Sequence, residues 1–249
     1  MKMKYLRNVI ALSLLAAAPA SQAGMLAVEA GVMDWSQQAE DYFGEGKSEN
    51  SFIQMKGATG SAFGDLYAHV KLEDIEDSAA IGSEINIVGQ INMGDSDFNW
   101  YGQVFNKQKP VWSETNTTLG VSWDKQFDNG LYAQLALAGH IVTADYKHFN
   151  SDFKGGFNGG YFIYTLMKDF DIGDQNFSFV WWQEHFFGRD DLYLKLSGDG
   201  KDFGFNGSAI LRWHFHEQIS AALTYRYAEN NMGKEGFHDG VFYSLQYNF

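Results

Sequence analysis

Asp239-Gly-Val-Phe-Tyr-Ser-Leu-Gln-Tyr-Asn-Phe249 ends the chain on a two-residue alternation. Counting back from Phe249, the residues Tyr247, Leu245, Tyr243 and Val241 share one face of an extended strand, while Asn248, Gln246 and Ser244 share the other. One face is apolar and the other polar. A half-buried strand of a soluble sandwich carries the same pattern. A strand of about ten residues ending on an aromatic also fits the closing strand of an outer-membrane β-barrel, with Tyr243 and Leu245 toward lipid and Ser244 and Gln246 toward the lumen. The choice between them rests on the rest of the chain.

At the other terminus, Lys2, Lys4 and Arg7 precede an apolar run from Val9 to Ala18, then Pro19 and the small-residue site Ser21-Gln-Ala23. This is the pattern of a secretory signal peptide cut after Ala23. It leaves residues 24–249 as one exported domain. The run is too short to span a bilayer as a helix, and nothing after Gly24 approaches eighteen consecutive apolar residues. Loss of the leader moves the net charge from −13 to −16, which disfavours a nucleic-acid surface. With no cysteine, the exported chain has no disulfide framework, and its stability must come from another source such as sheet closure. Aromatic residues make up 16% of the chain and only Pro110 remains beyond the leader, as expected for strands with interfacial aromatic girdles.

Alternation then predicts strands at 26–35, 49–57, 62–73, 83–93, 98–106, 114–124, 131–143, 157–168, 176–187, 203–213 and 218–228 before the closing strand. The clearest sets Leu66, Ala68, Val70 and Leu72 outward and Asp65, Tyr67, His69 and Lys71 inward, with charge on one face only. Parity in the fifth, eighth and ninth strands is open, and Trp181 cannot be told from Trp182 by pattern. The count is twelve, an even number, and the breaks after even-numbered strands are shorter than those after odd-numbered ones. Together these predict an all-β fold, a transmembrane antiparallel up-and-down barrel of twelve strands.

Phe63-Gly-Asp-Leu-Tyr-Ala-His69, the spacing of the second-half strands and the Tyr-Asn-Phe end resemble the nucleoside-specific channel-forming family, the Tsx-like porins, which include the vibrio proteins called OmpK. The resemblance implies a narrow monomeric barrel in the outer-membrane lipid, passive passage of nucleosides without a cofactor, and use by some bacteriophages as a receptor. Ala68-His69 stands where the family pattern has Gly-Tyr.

Inward parity assigns Glu29, Asp65, Tyr67, His69, Lys71, Glu84, Asn86, Gln90, Gln103, His140, Trp182, Glu184, Arg212 and Arg226 to the lumen. The candidate solute contacts are Asp65, Tyr67, His69, Lys71, Glu84, Gln103, Trp182, Glu184, Arg212 and Arg226. Rings and amides of this kind suit an uncharged solute with a flat ring and hydroxyls, stacked on Tyr67 or Trp182. The plainer expectation is that the charges pair with one another, Glu184 with Arg212 and Asp65 with Lys71, and brace the wall. Trp35, Trp100, Trp112, Trp123, Trp181 and Trp213 are expected as girdle anchors. A rim hydrolase is the rival class, resting on His148-Phe-Asn-Ser151, which is adjacency and not a triad. His214-Phe-His216 has metal-pair spacing without a third ligand. A plugged barrel acting as a surface protein is the third class, with acidic loops at 36–48, 73–82 and 188–202.

Overall fold

The computed structural model describes residues 24–44, 49–146, 153 and 155–249. The leader and the His148–Ser151 stretch lie outside these residues. Twelve strands run β1 (Met25–Trp35), β2 (Asn50–Ser61), β3 (Gly64–Glu73), β4 (Gly82–Asn92), β5 (Phe98–Lys109), β6 (Trp112–Gln126), β7 (Leu131–Tyr146), β8 (Gly156–Ile172), β9 (Gln175–Phe187), β10 (Gly204–His214), β11 (Ile219–Asn231) and β12 (Lys234–Asn248). Each pairs antiparallel with its neighbours in sequence, and β12 returns to β1 with Ala27 opposite Asn248 and Trp35 opposite Gly240. Closure leaves no sheet edge, which is the condition for a strand structure to cross a bilayer.

The barrel is apolar outside and polar inside. Neighbours Leu245 and Gln246 on β12 are 60% and 5% exposed, the reverse of a soluble core. The outward faces expose Leu66, Ile87, Ile91, Trp100, Leu119, Leu137 and Leu223, a band for lipid tails. No described helix is long and apolar enough to cross a membrane; the strands do so.

The connections at the end that carries β1's C-terminus differ from the expectation in two ways. Strands β5 and β6 meet in a two-residue turn at 110–111, and β11 and β12 meet at 232–233, where loops of 107–113 and 229–237 were expected. The residues there stay paired on strands that stand beyond the lipid band, where both faces are polar and composition reads as loop. Two segments expected as plain loops contain short helices, α1 (Gln37–Phe43) and α2 (Asp191–Ser197). Asp190 caps α2 by accepting from the backbone N–H groups of Leu192 and Tyr193.

Candidate functional site

The lumen is crossed at its waist by one hydrogen-bonded belt. Tyr101 on β5 and Tyr161 on β8 stack with ring centroids 6.4 Å apart at 17°. They meet over Gly120 and Ala138, the small inward residues of β6 and β7. A Cβ at Gly120 would lie 2.0 Å from the Leu137 carbonyl oxygen, so the close approach of β6 to β7 requires glycine. Both tyrosine hydroxyls donate to Gln103 Oε1, at 3.0 and 2.8 Å. The Gln103 amide in turn donates to Asn86 Oδ1 at 3.1 Å and to Glu184 Oε1 at 3.4 Å. From Glu184 the belt passes through Asn206, which donates to Glu184 Oε2 at 3.1 Å, to Arg226, which donates to Asn206 Oδ1 at 2.8 Å. The Arg226 guanidinium lies 4.7 Å from the centre of the Trp182 ring, a cation–π contact.

Toward the long-loop end, β3, β4 and β5 build a ladder of charge. Lys71 bridges Glu73 and Glu84 at 2.9 and 3.1 Å, and Lys107 reaches Glu73 at 3.1 Å and Glu84 at 3.7 Å. Lys109 pairs with Asp74 and with Glu73 at 3.4 Å. His69 Nε2 lies 3.0 Å from Glu84 Oε1, and its Nδ1 lies 3.1 Å from the Tyr67 hydroxyl. Every carboxylate here has a cation, as buried charges must.

A separate strut joins β1, β2 and β10: Glu29 takes Lys56 at 2.5 Å and Arg212 at 2.9 Å. A polar group also occupies the other end of the lumen, where Gln90 donates to Ser122 at 2.8 Å and to Asp124 at 3.0 Å and accepts from Gln134 at 2.8 Å.

The long loop after β9 folds over the β6–β8 side of the lumen. Tyr193 and Leu194 of α2 bury against Val142, and the Tyr193 hydroxyl donates to Glu114 Oε1 at 3.2 Å. Arg189 anchors the loop, donating to Asp199 Oδ2 and to the Asn230 carbonyl, both at 2.6 Å. Burial pushes the Asp199 carboxyl up to about 6, although Arg189 and the Gly233 amide favour its ionised form.

The ten candidate residues all fall on the inward parity, and strand pairing settles the ninth strand: Trp182 lies inward opposite Ser208, while Trp181 lies outward with its indole N–H on the Tyr227 hydroxyl. They do not form one site. Gln103, Trp182, Glu184 and Arg226 belong to the waist; Tyr67, His69, Lys71 and Glu84 belong to the ladder; Arg212 belongs to the strut, and Asp65 sits near the short-turn end opposite Gly60. Both expected ion pairs are corrected. Arg212 pairs with Glu29 rather than Glu184. Lys71 pairs with Glu73 and Glu84, because Asp65 lies six residues away on the same strand, about 20 Å at strand rise.

His214 ends β10 and contacts Ser178 Oγ at 2.6 Å, while His216 Nδ1 accepts from the Gln218 backbone N–H, so the two histidines do not form a pair. Residues not singled out from sequence are Glu73, Tyr101, Lys107, Lys109, Tyr161 and Asn206. Tyr101, Lys107 and Lys109 share parity with Gln103, and extending the fifth strand past Asn106 would have found the two lysines.

Two solved barrels share the fold. The NanC porin superposes with a TM-score of 0.52 at 11% identity, covering 90% of this chain and 100% of its own. The KdgM porin in complex with disordered oligogalacturonate gives 0.50 at 8% identity, covering 90% and 99%. Such low identity speaks to architecture alone. Residues 31–249 match the family model for the nucleoside-specific channel-forming protein Tsx. With the closed twelve-stranded barrel and its polar lumen, this makes the chain an outer-membrane channel protein that belongs to the nucleoside-specific channel-forming family.

Proposed function

We propose that this protein passes nucleosides through the outer membrane by diffusion, as a monomer exported by its first 23 residues. The waist is the observation that carries this reading. It sets a Trp182–Arg226 cation–π pair beside the amides of Gln103 and Asn206 and the Glu184 carboxylate, braced by the buried stack of Tyr101 on Tyr161. A flat base finds planar surface there, and ribose hydroxyls find donors and acceptors. The ladder offers further polar contacts, so a solute exchanges one weak set of hydrogen bonds for the next. Each set stays weak, because a site that holds its solute tightly stops conduction. On the outside, the surface around α1, α2 and the acidic turn at 74–81 is what a bacteriophage using this barrel would meet.

Uptake of labelled uridine and adenosine into proteoliposomes tests the substrate class. Entry faster than that of a hexose, although nucleosides are larger, is expected; entry ranked by size alone would make the barrel a general pore.

A further inference from the structure

The strut and the ladder join opposite charges in direct contact, but the waist does not. Glu184 and Arg226 face one another across Asn206, and among the described residues neither has an ion-pair partner within 4.0 Å. Asn206 donates to the carboxylate with its nitrogen and accepts from the guanidinium with its oxygen. It is a spacer of the right polarity at both ends.

Both charged groups have unspent capacity. Glu184 takes donors from Gln103 and Asn206 and shares the single Tyr161 hydroxyl proton with Gln103 Oε1, where a carboxylate offers about four acceptor sites. Arg226 donates to the Gly207 carbonyl, Asn206 and the Met232 sulfur, where a guanidinium has about five N–H groups to give. Direct contact would use up the remaining acceptor and donors on each other. Held apart, they stay available.

We propose that Asn206 is a positioning residue that keeps Glu184 and Arg226 as a split ion pair, and that the pair reads the adjacent N–H donor and carbonyl acceptor on the edge of a nucleobase. This deepens the nucleoside reading and rests on it. The N–H of a uracil-type edge completes the Glu184 shell, and the neighbouring carbonyl accepts from Arg226. A sugar or a bare aromatic ring offers hydroxyls or a face but no such fixed edge. A site built to bond an N–H loses most of its affinity for an analogue that lacks one, because its own buried acceptor is then left unmet.

The test compares block of single-channel current by uridine and by 3-methyluridine, which keeps ring and ribose but replaces the only base N–H. On the wild-type barrel, 3-methyluridine should need a concentration about tenfold or more higher for half block. In Asn206→Leu the released Arg226 closes on Glu184, so the two compounds should become equal. Equal block of the wild type by both compounds overturns the split-pair reading without touching nucleoside passage, and needs no variant to fold. A conducting Asn206→Leu barrel that still discriminates overturns the role of Asn206. Absence of block by uridine in a conducting wild type overturns the nucleoside reading itself and this inference with it.

Discussion

Arg212 on β10 donates from Nη2 to Glu29 Oε1 on β1 at 2.9 Å, joining residues 183 apart in sequence beside the seam where β12 meets β1. Glu29 also holds Lys56 and accepts from Ser244 on β12, so four strands on both sides of the closure converge on one carboxylate. The strut ties the first strand to β2, β10 and β12 in a chain without disulfides.

Removing that carboxylate should therefore cost more than removing one of its cations. Glu29→Ala leaves Lys56 and Arg212 unpaired in a confined lumen and should destabilise the barrel by about 3–5 kcal/mol; Arg212→Ala should cost less, because Lys56 remains on Glu29. Urea unfolding of the folded barrel in lipid measures both. Equal costs would mean that Glu29 is not the hub.

The ladder sets the sign of the field at one end of the lumen. Lys107→Gln removes one of three lysines facing Glu73, Glu84 and Asp74 and should move the reversal potential in a KCl gradient toward cation selectivity. Glu84→Gln should move it the other way. A reversal potential unmoved by either would place the ion path away from β3–β5.

Acid should tighten the loop after β9, contrary to what an ordinary salt bridge does. The Asp199 carboxyl titrates at about 6 in the folded loop, and near 4 once the loop opens. Its folded pKa is raised, so the closed loop binds the proton more tightly. The stability it contributes is complete below about 4 and is lost as pH rises through about 6. Amide exchange across 190–203, corrected for intrinsic rates, should slow by an order of magnitude or more between pH 7 and 4, and Asp199→Asn should flatten the change. Faster exchange on acidification would show that the Arg189 pair dominates.

The barrel was legible because lipid and lumen enforce opposite demands on alternate residues, and Leu66 to Leu72 against Asp65 to Lys71 records that directly. Strand ends were less legible: Lys107 and Lys109 stand beyond the apolar band, where both faces of a strand are wet and alternation fades. The partners of Glu184 and Arg212 were not legible at all. Parity says which residues enter the lumen, but curvature and stagger decide which of them meet across it, and these bring Glu29 to Arg212 and Asn206 to Glu184. The helix α2 was missed for a related reason. It is a single short helix whose apolar side, Tyr193 and Leu194, is buried by Val142 and Phe153, residues distant in sequence.

The most direct test of the account is the current through one refolded barrel in a planar bilayer, recorded while nucleoside is added. Small discrete steps that uridine or adenosine reduces in a saturable way, from a weak site at the waist, are expected. Steps that persist unchanged at saturating nucleoside would contradict it.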